Sequence, residues 1–111
     1  DNPGDDSRDI FEAFVTGFVL NSEFRKAHDL ATLWITDCPD DARAWNARAQ
    51  IWQSTQKTHL AEEDYRESLK RDPNSLDALK GLGNVLLSRN QPNEAVIQFR
   101  RSLENHPNEH G

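Results

Sequence analysis

Three prolines set the frame of this chain. Pro39, Pro73 and Pro107 recur at intervals of 34 residues. An interval of that size marks a repeat architecture, in which one small unit is copied and each copy covers the apolar face of the next. Counting back from the prolines divides the chain into units at 8–41, 42–75 and 76–109, after an acidic lead-in at 1–7. The in-phase residues agree. The fourth position of the units holds Phe11, Trp45 and Leu79; the eighth, Val15, Ala49 and Gly83; the eleventh, Phe18, Trp52 and Leu86. The twentieth is alanine throughout (Ala27, Ala61, Ala95), and the twenty-eighth holds Ile35, Leu69 and Leu103.

Positions 4, 7, 8 and 11 share one face of a helix, and positions 20, 24, 27 and 28 share a face of a second. Each unit therefore reads as helix, short turn, helix. The pattern predicts helices over 7–20, 23–37, 41–55, 58–71, 75–88 and 91–105. The unit-ending prolines stop the second helix, because proline lacks the donor and clashes in a helix interior. Asp40 and Asp41, then Asn74 and Ser75, follow them as caps for the next helix, with Ser7 in that role for the first. The turns inside the units are polar: Asn21-Ser22, Thr55-Gln56 and Asn90-Gln91. Asn90 tolerates a left-handed backbone, and Pro92 suits the first turn of a helix.

This pattern resembles the tetratricopeptide repeat, with its 34-residue unit. The third unit matches best, through Leu79, Leu82, Gly83, Leu86, Ala95, Phe99, Ser102 and Pro107; the second keeps Trp45, Ala49, Ala61, Tyr65, Ser68 and Pro73. The resemblance covers about residues 8–109 and implies an all-α fold, a right-handed α-solenoid of three antiparallel helix-turn-helix hairpins. The first unit departs from it: position 24, usually aromatic, is Ala31, and position 27, usually small, is Trp34. The two lie three apart on one helical face. This reads as an exchange of large for small that conserves buried volume, so Trp34 is expected in the core beside Ala31. With it, Trp45, Trp52, Tyr65, Leu79, Leu82 and Phe99 are expected to be largely buried.

With 35% hydrophobic and 29% charged residues, a single large core is not expected, but thin stacked layers are. The formal charge is −6, and acids crowd the front, from Asp1 to Asp41, opposed there only by Arg8, Arg25 and Lys26. Such a front disfavours nucleic acid, whose phosphates need clustered cations, and is either a solubilising surface or an attraction for a basic partner. No apolar run reaches the roughly 18 residues that cross a bilayer, so membrane insertion is not expected. The single Cys38 makes no internal disulfide and demands no oxidising compartment; a cytoplasmic setting is slightly favoured, with a periplasmic one also compatible. With no initiator methionine, the sequence reads as a piece of a longer protein.

Residues suited to chemistry are scattered. Gly81-Leu82-Gly83 lies inside a helical pattern and lacks the strand–turn–helix setting of a phosphate loop. His106 and His110 flank Pro107, with no further ligand types beside them, and Cys38 has no activating neighbour. Glu62, Glu63, Asp64 and Glu67 are expected to form a solvated helix face rather than an opposed catalytic pair. No enzyme activity, cofactor or metal is expected.

The resemblance implies that the first helix of each unit lines a concave groove. Its candidate peptide-binding residues are Arg43, Asn46, Gln50, Gln53, Lys80, Asn84 and Leu87, with Asp9, Glu12, Ala13, Thr16, Val19 and Leu20 contributed by the first unit. The amides suit an extended backbone, and small Ala47 and Gly81 would let it approach closely. The implied function is a scaffold that binds a peptide or protein segment. Two alternatives are a targeting or regulatory module of a larger enzyme, and a self-association module. The subtype that clamps the two carboxylates of chaperone tails is not matched, because its positions here are Glu12, Thr16, Ala47, Asp77 and Gly81. The final helix carries Val96 and Ile97 where the earlier units carry His28-Asp29 and Glu62-Glu63. With Phe99 and Leu103, these residues are a candidate surface for a capping helix or a second copy, giving a homo-oligomer.

Overall fold

The computed structural model describes residues 3–105, which form six helices: α1 (Pro3–Leu20), α2 (Phe24–Asp37), α3 (Ala42–Ser54), α4 (Thr58–Arg71), α5 (Leu76–Ser88) and α6 (Pro92–Asn105). Helices α2 to α6 lie within one residue of the predicted bounds at each end. Helix α1 starts earlier than expected. Pro3 opens it, since proline wastes no donor in a first turn, and Ser7 therefore lies inside the helix rather than capping it. Pro107, His106 and His110 lie outside the described residues.

Consecutive helices pair as hairpins, and the hairpins stack into an all-α repeat solenoid. Helix α1 meets α3, and α3 meets α5, whereas among the described residues α2, α4 and α6 do not meet one another. The first helices are thus the tight inner layer and the second helices the splayed outer one.

The turns repeat as faithfully as the core. Ser22, Gln56 and Asn90, each 34 residues from the next, all adopt positive φ (60°, 68° and 62°). Each closes its helix with the same pair of backbone bonds, for example Lys57 N to Trp52 O (2.8 Å) and Gln56 N to Gln53 O (3.1 Å). Only Asn90 carried a residue type that announced this conformation. Between units, the Asp41 carboxylate accepts from the Arg43 backbone N–H (3.2 Å) and the Ser75 hydroxyl from the Ala78 N–H (3.2 Å).

Two apolar clusters fill the stack. One joins α1, α2 and α3 around Val15, Ala31, Trp34 and Ile51; the other joins α3 to α6 around Tyr65, Leu82 and Leu86. Trp34 is fully buried beside Ala31. Tyr65, Leu79 and Leu82 are also buried, but Trp45, Trp52 and Phe99 are only half-buried. Both half-buried tryptophans sit at polar seams, where the indole N–H needs an acceptor. Trp45 donates to Pro39 O (3.0 Å) under the Arg71 guanidinium, and Trp52 donates to Asp64 (2.9 Å) against the His28 ring.

The exchange in the first hairpin involves three positions. At positions 8, 24 and 27, the third hairpin has Gly83, Phe99 and Ser102, and the second has Ala49, Tyr65 and Ser68. The first inverts the order to Val15, Ala31 and Trp34. A β-carbon on Gly83 would lie 2.7 Å from the Phe99 ring, so the small residue is what admits the large one.

Candidate functional site

The inner layer holds a cavity of about 360 Å³ between α1 and α3, closed at one side by the turn into α5. Helix α1 contributes Glu12, Val15, Thr16, Val19 and Leu20; α3 contributes Arg43, Asn46, Ala47 and Gln50; Asp72, Ser75 and Asp77 stand at the α5 edge. Part of its floor is Trp34, so the unusual residue of the first hairpin lies directly beneath the site.

Asp41 organises one wall. Besides capping α3, it accepts from the Trp34 indole (3.1 Å) and from both the Nε (3.3 Å) and one terminal nitrogen (3.2 Å) of Arg43, and it lies 3.9 Å from Arg8. The other terminal nitrogen of Arg43 donates to Glu12 (2.9 Å) and Asp9 (3.3 Å) across the gap to α1, and the guanidinium lies 5.7 Å from the Trp34 ring centre. The hydrogen bond to Asp41 raises the Arg43 pKa most; partial burial opposes it, and Asp9 and Glu12 reinforce it. The cation is therefore surrounded by three carboxylates of its own chain.

The candidate groove residues divide accordingly. Arg43, Asn46 and Gln50 come together at the cavity, with Gln50 exposed and the other two half-buried. Lys80, Asn84 and Leu87 are exposed on α5, outside it. Gln53 is half-buried, and its side-chain oxygen accepts from the Tyr65 hydroxyl, so it is tied to the core. Gly81 does not offer the close approach expected of it: it is buried, and a β-carbon there would collide with the Tyr65 ring. Burial raises the Tyr65 pKa, and the charge of nearby Asp77 adds to this. The sequence reading missed Asp72, which lines the cavity, and Asp41, which holds Arg43 from beside it. Asp41 stood out only as a cap, and its bonds to the Trp34 indole and the Arg43 side chain depend on side-chain directions that spacing does not show.

The acidic run on α4 also differs from expectation. Asp64 is buried, 4% exposed, and takes both Arg48 bonds (2.8 and 3.1 Å) along with that of Trp52. Burial pushes the Glu62 carboxyl up, but its bonds to Arg66 and Arg89 outweigh this and hold it below its usual range. Glu67 is lowered by Lys70 and then Arg71, and Glu63 is exposed. The signal for Asp64 was present at positions 7 and 23. Those positions are Phe14 and Leu30 in the first unit but Arg48 and Asp64 in the second, so both members became charged together.

At the far end, Val96, Ile97 and Leu103 are each about half exposed (46%, 50% and 46%). Phe99 is not part of that surface, because its ring turns inward against Gly83.

Residues 53–110 match the profile of the tetratricopeptide repeat. The chain belongs to the tetratricopeptide-repeat family. No curated protein matches it. Among solved structures it is similar to the type III secretion translocator chaperone SycD of Yersinia enterocolitica, with a TM-score of 0.87 at 16% identity, over 94% of this chain and 79% of that one. It is equally similar to the first tetratricopeptide domain of Spaghetti, solved with the Hsp90 peptide SRMEEVD, with a TM-score of 0.87 at 19% identity, over 92% and 81% of the two chains. The yeast Sti1 domain in complex with an Hsp70 peptide gives a TM-score of 0.86 at 16% identity, over 93% and 82%. At these identities the likeness is one of fold.

Proposed function

We propose that this tetratricopeptide array is a protein-interaction module that holds an extended peptide segment along its inner face. The observation that carries the reading is the cavity between α1 and α3, on the side where the first helices converge. Asn46 and Gln50 offer amides to a peptide backbone, and Val19 and Leu20 offer apolar surface beside them. Lys80, Asn84 and Leu87 extend the same layer along α5. The peptide complexes of the Spaghetti and Sti1 domains support a peptide as the kind of partner. An acidic peptide such as SRMEEVD is a poor choice here, since Glu12 and Asp77 stand on the cavity wall and Arg43 is already neutralised.

Peptides selected from a displayed random library test this. They should lose about tenfold or more in affinity when Asn46 and Gln50 are both changed to Ala, as expected for central contacts. They should bind the Arg66→Ala variant, altered on the outer helix α4, unchanged. Affinity that follows Arg66 and ignores the groove pair would reject the proposal. A second reading, self-association through Val96, Ile97 and Leu103, is favoured by their half-exposure. Light scattering should then show mass rising with concentration and falling back with Val96→Glu; a constant monomer mass would reject it.

A further inference from the structure

We infer that the segment taken by this groove is basic: an arginine or lysine side chain enters the cavity, with an apolar residue beside it. The inference rests on the peptide-binding reading above and specifies its ligand. The argument is an inventory of what the cavity leaves unused. Its one cation, Arg43, is spent on Asp9, Glu12 and Asp41, so the wall has no free positive charge for an acidic ligand. What remains unmatched is mainly acceptor capacity. Among the described residues Asp77 forms no hydrogen bond or ion pair, Asp72 accepts only from the Asn74 backbone (3.3 Å), and the buried side-chain oxygen of Asn46 has no donor. Glu12 keeps one oxygen outside its single bond to Arg43.

A guanidinium or ammonium group supplies the donors and the charge that this wall lacks, whereas a carboxylate would face Glu12, Asp72 and Asp77. The cavity floor is suited to the aliphatic stem of such a side chain. Val15, Val19 and Ala47 line it, and Leu20, 80% exposed at the rim, leaves an apolar place for the next residue. The remaining amide donors, on Asn46 and Gln50, fit the carbonyls of the peptide backbone rather than its charge.

The test uses blocked peptides selected from a random displayed library against the whole chain. Arginine and lysine should be enriched among them, next to an apolar position. Replacing the selected arginine by citrulline, which keeps shape and removes charge, should weaken binding about tenfold, and the Glu12→Gln, Asp77→Asn double variant should weaken it to a similar degree. Glu63→Gln, an exposed change on the outer helix, should have no effect. Selected peptides that depend on Asn46 and Gln50 but are neutral or acidic would overturn this inference while leaving the groove reading intact. Selected peptides that ignore Asn46 and Gln50 would overturn the groove reading, and this inference with it.

Discussion

The first and third hairpins solve one packing problem in opposite ways. In the third, Phe99 reaches back onto Gly83 and Ser102 stays small; in the first, Trp34 fills the interior from the other position, beside Ala31 and Val15. The large ring changes position, and the wiring changes with it. Phe99 carries no polar atom, and its hairpin ends in a purely apolar contact. Trp34 carries an indole N–H, which needs an acceptor, and it finds Asp41. Asp41 in turn fixes Arg43, which spans the groove to α1. The charged, walled end of the inner face lies over the inverted hairpin, and the open end, with Lys80, Asn84 and Leu87, lies over the ordinary one. A substitution inside the core thus shapes the surface above it.

The comparison predicts that Trp34 is worth more than any other side chain in the first hairpin. Trp34→Ala should cost about 3–5 kcal/mol in urea unfolding, the range for deleting a large buried aromatic. A loss below about 1 kcal/mol, the level of a surface change, would break the comparison. Next in size is the middle hairpin, where an ion pair occupies the positions that Phe14 and Leu30 hold in the first. Asp64→Ala leaves the Arg48 charge without its partner and should cost about 3 kcal/mol. The triple change Arg48→Leu, Asp64→Leu, Trp52→Phe, which also removes the indole N–H that Asp64 accepts, should recover most of that loss, because a buried ion pair and an apolar pair of similar size are often close in stability. Failure of the triple variant to recover would show that the pair does more than fill space.

A smaller effect sharpens the view of the third hairpin. Gly83→Ala should cost about 1–3 kcal/mol by forcing the Phe99 ring aside. The same stability as the parent would show that the ring yields freely and that the small-for-large pairing is loose. Smallest is the turn. Gln56→Gly should stabilise the chain by up to about 1 kcal/mol, since glycine meets no steric cost at positive φ. A destabilised variant would mean that the Gln56 side chain or the stiffer chain contributes more than the strain removes.

Much of this was legible in the sequence, for reasons that the same residues make clear. The period, the helix bounds from α2 onward and the burial of Trp34 follow from spacing and residue size, both local properties. That the first helices form the inner layer was implied by the family resemblance. What stayed hidden was side-chain partnership: Asp41 binding both Trp34 and Arg43, Gln53 turned to Tyr65, and Gly81 covered by the Tyr65 ring. Those contacts depend on side-chain direction within a hairpin and, for Gly81, on how one hairpin sits against the next, which no in-phase comparison supplies. The start of α1 was missed because the repeat begins at residue 8, while Pro3 allows the helix to begin before it.

The central claim is that the inner layer, at the cavity over the inverted hairpin, is where a partner binds. Its most direct test is chemical-shift mapping by nuclear magnetic resonance of the chain titrated with a selected peptide. The account predicts the largest shifts at Glu12, Thr16, Arg43, Asn46, Gln50 and Asp77, together with the Trp34 indole N–H beneath them. Shifts concentrated on the outer helices, at Glu63 and Arg66, with the inner-layer signals unmoved, would contradict it.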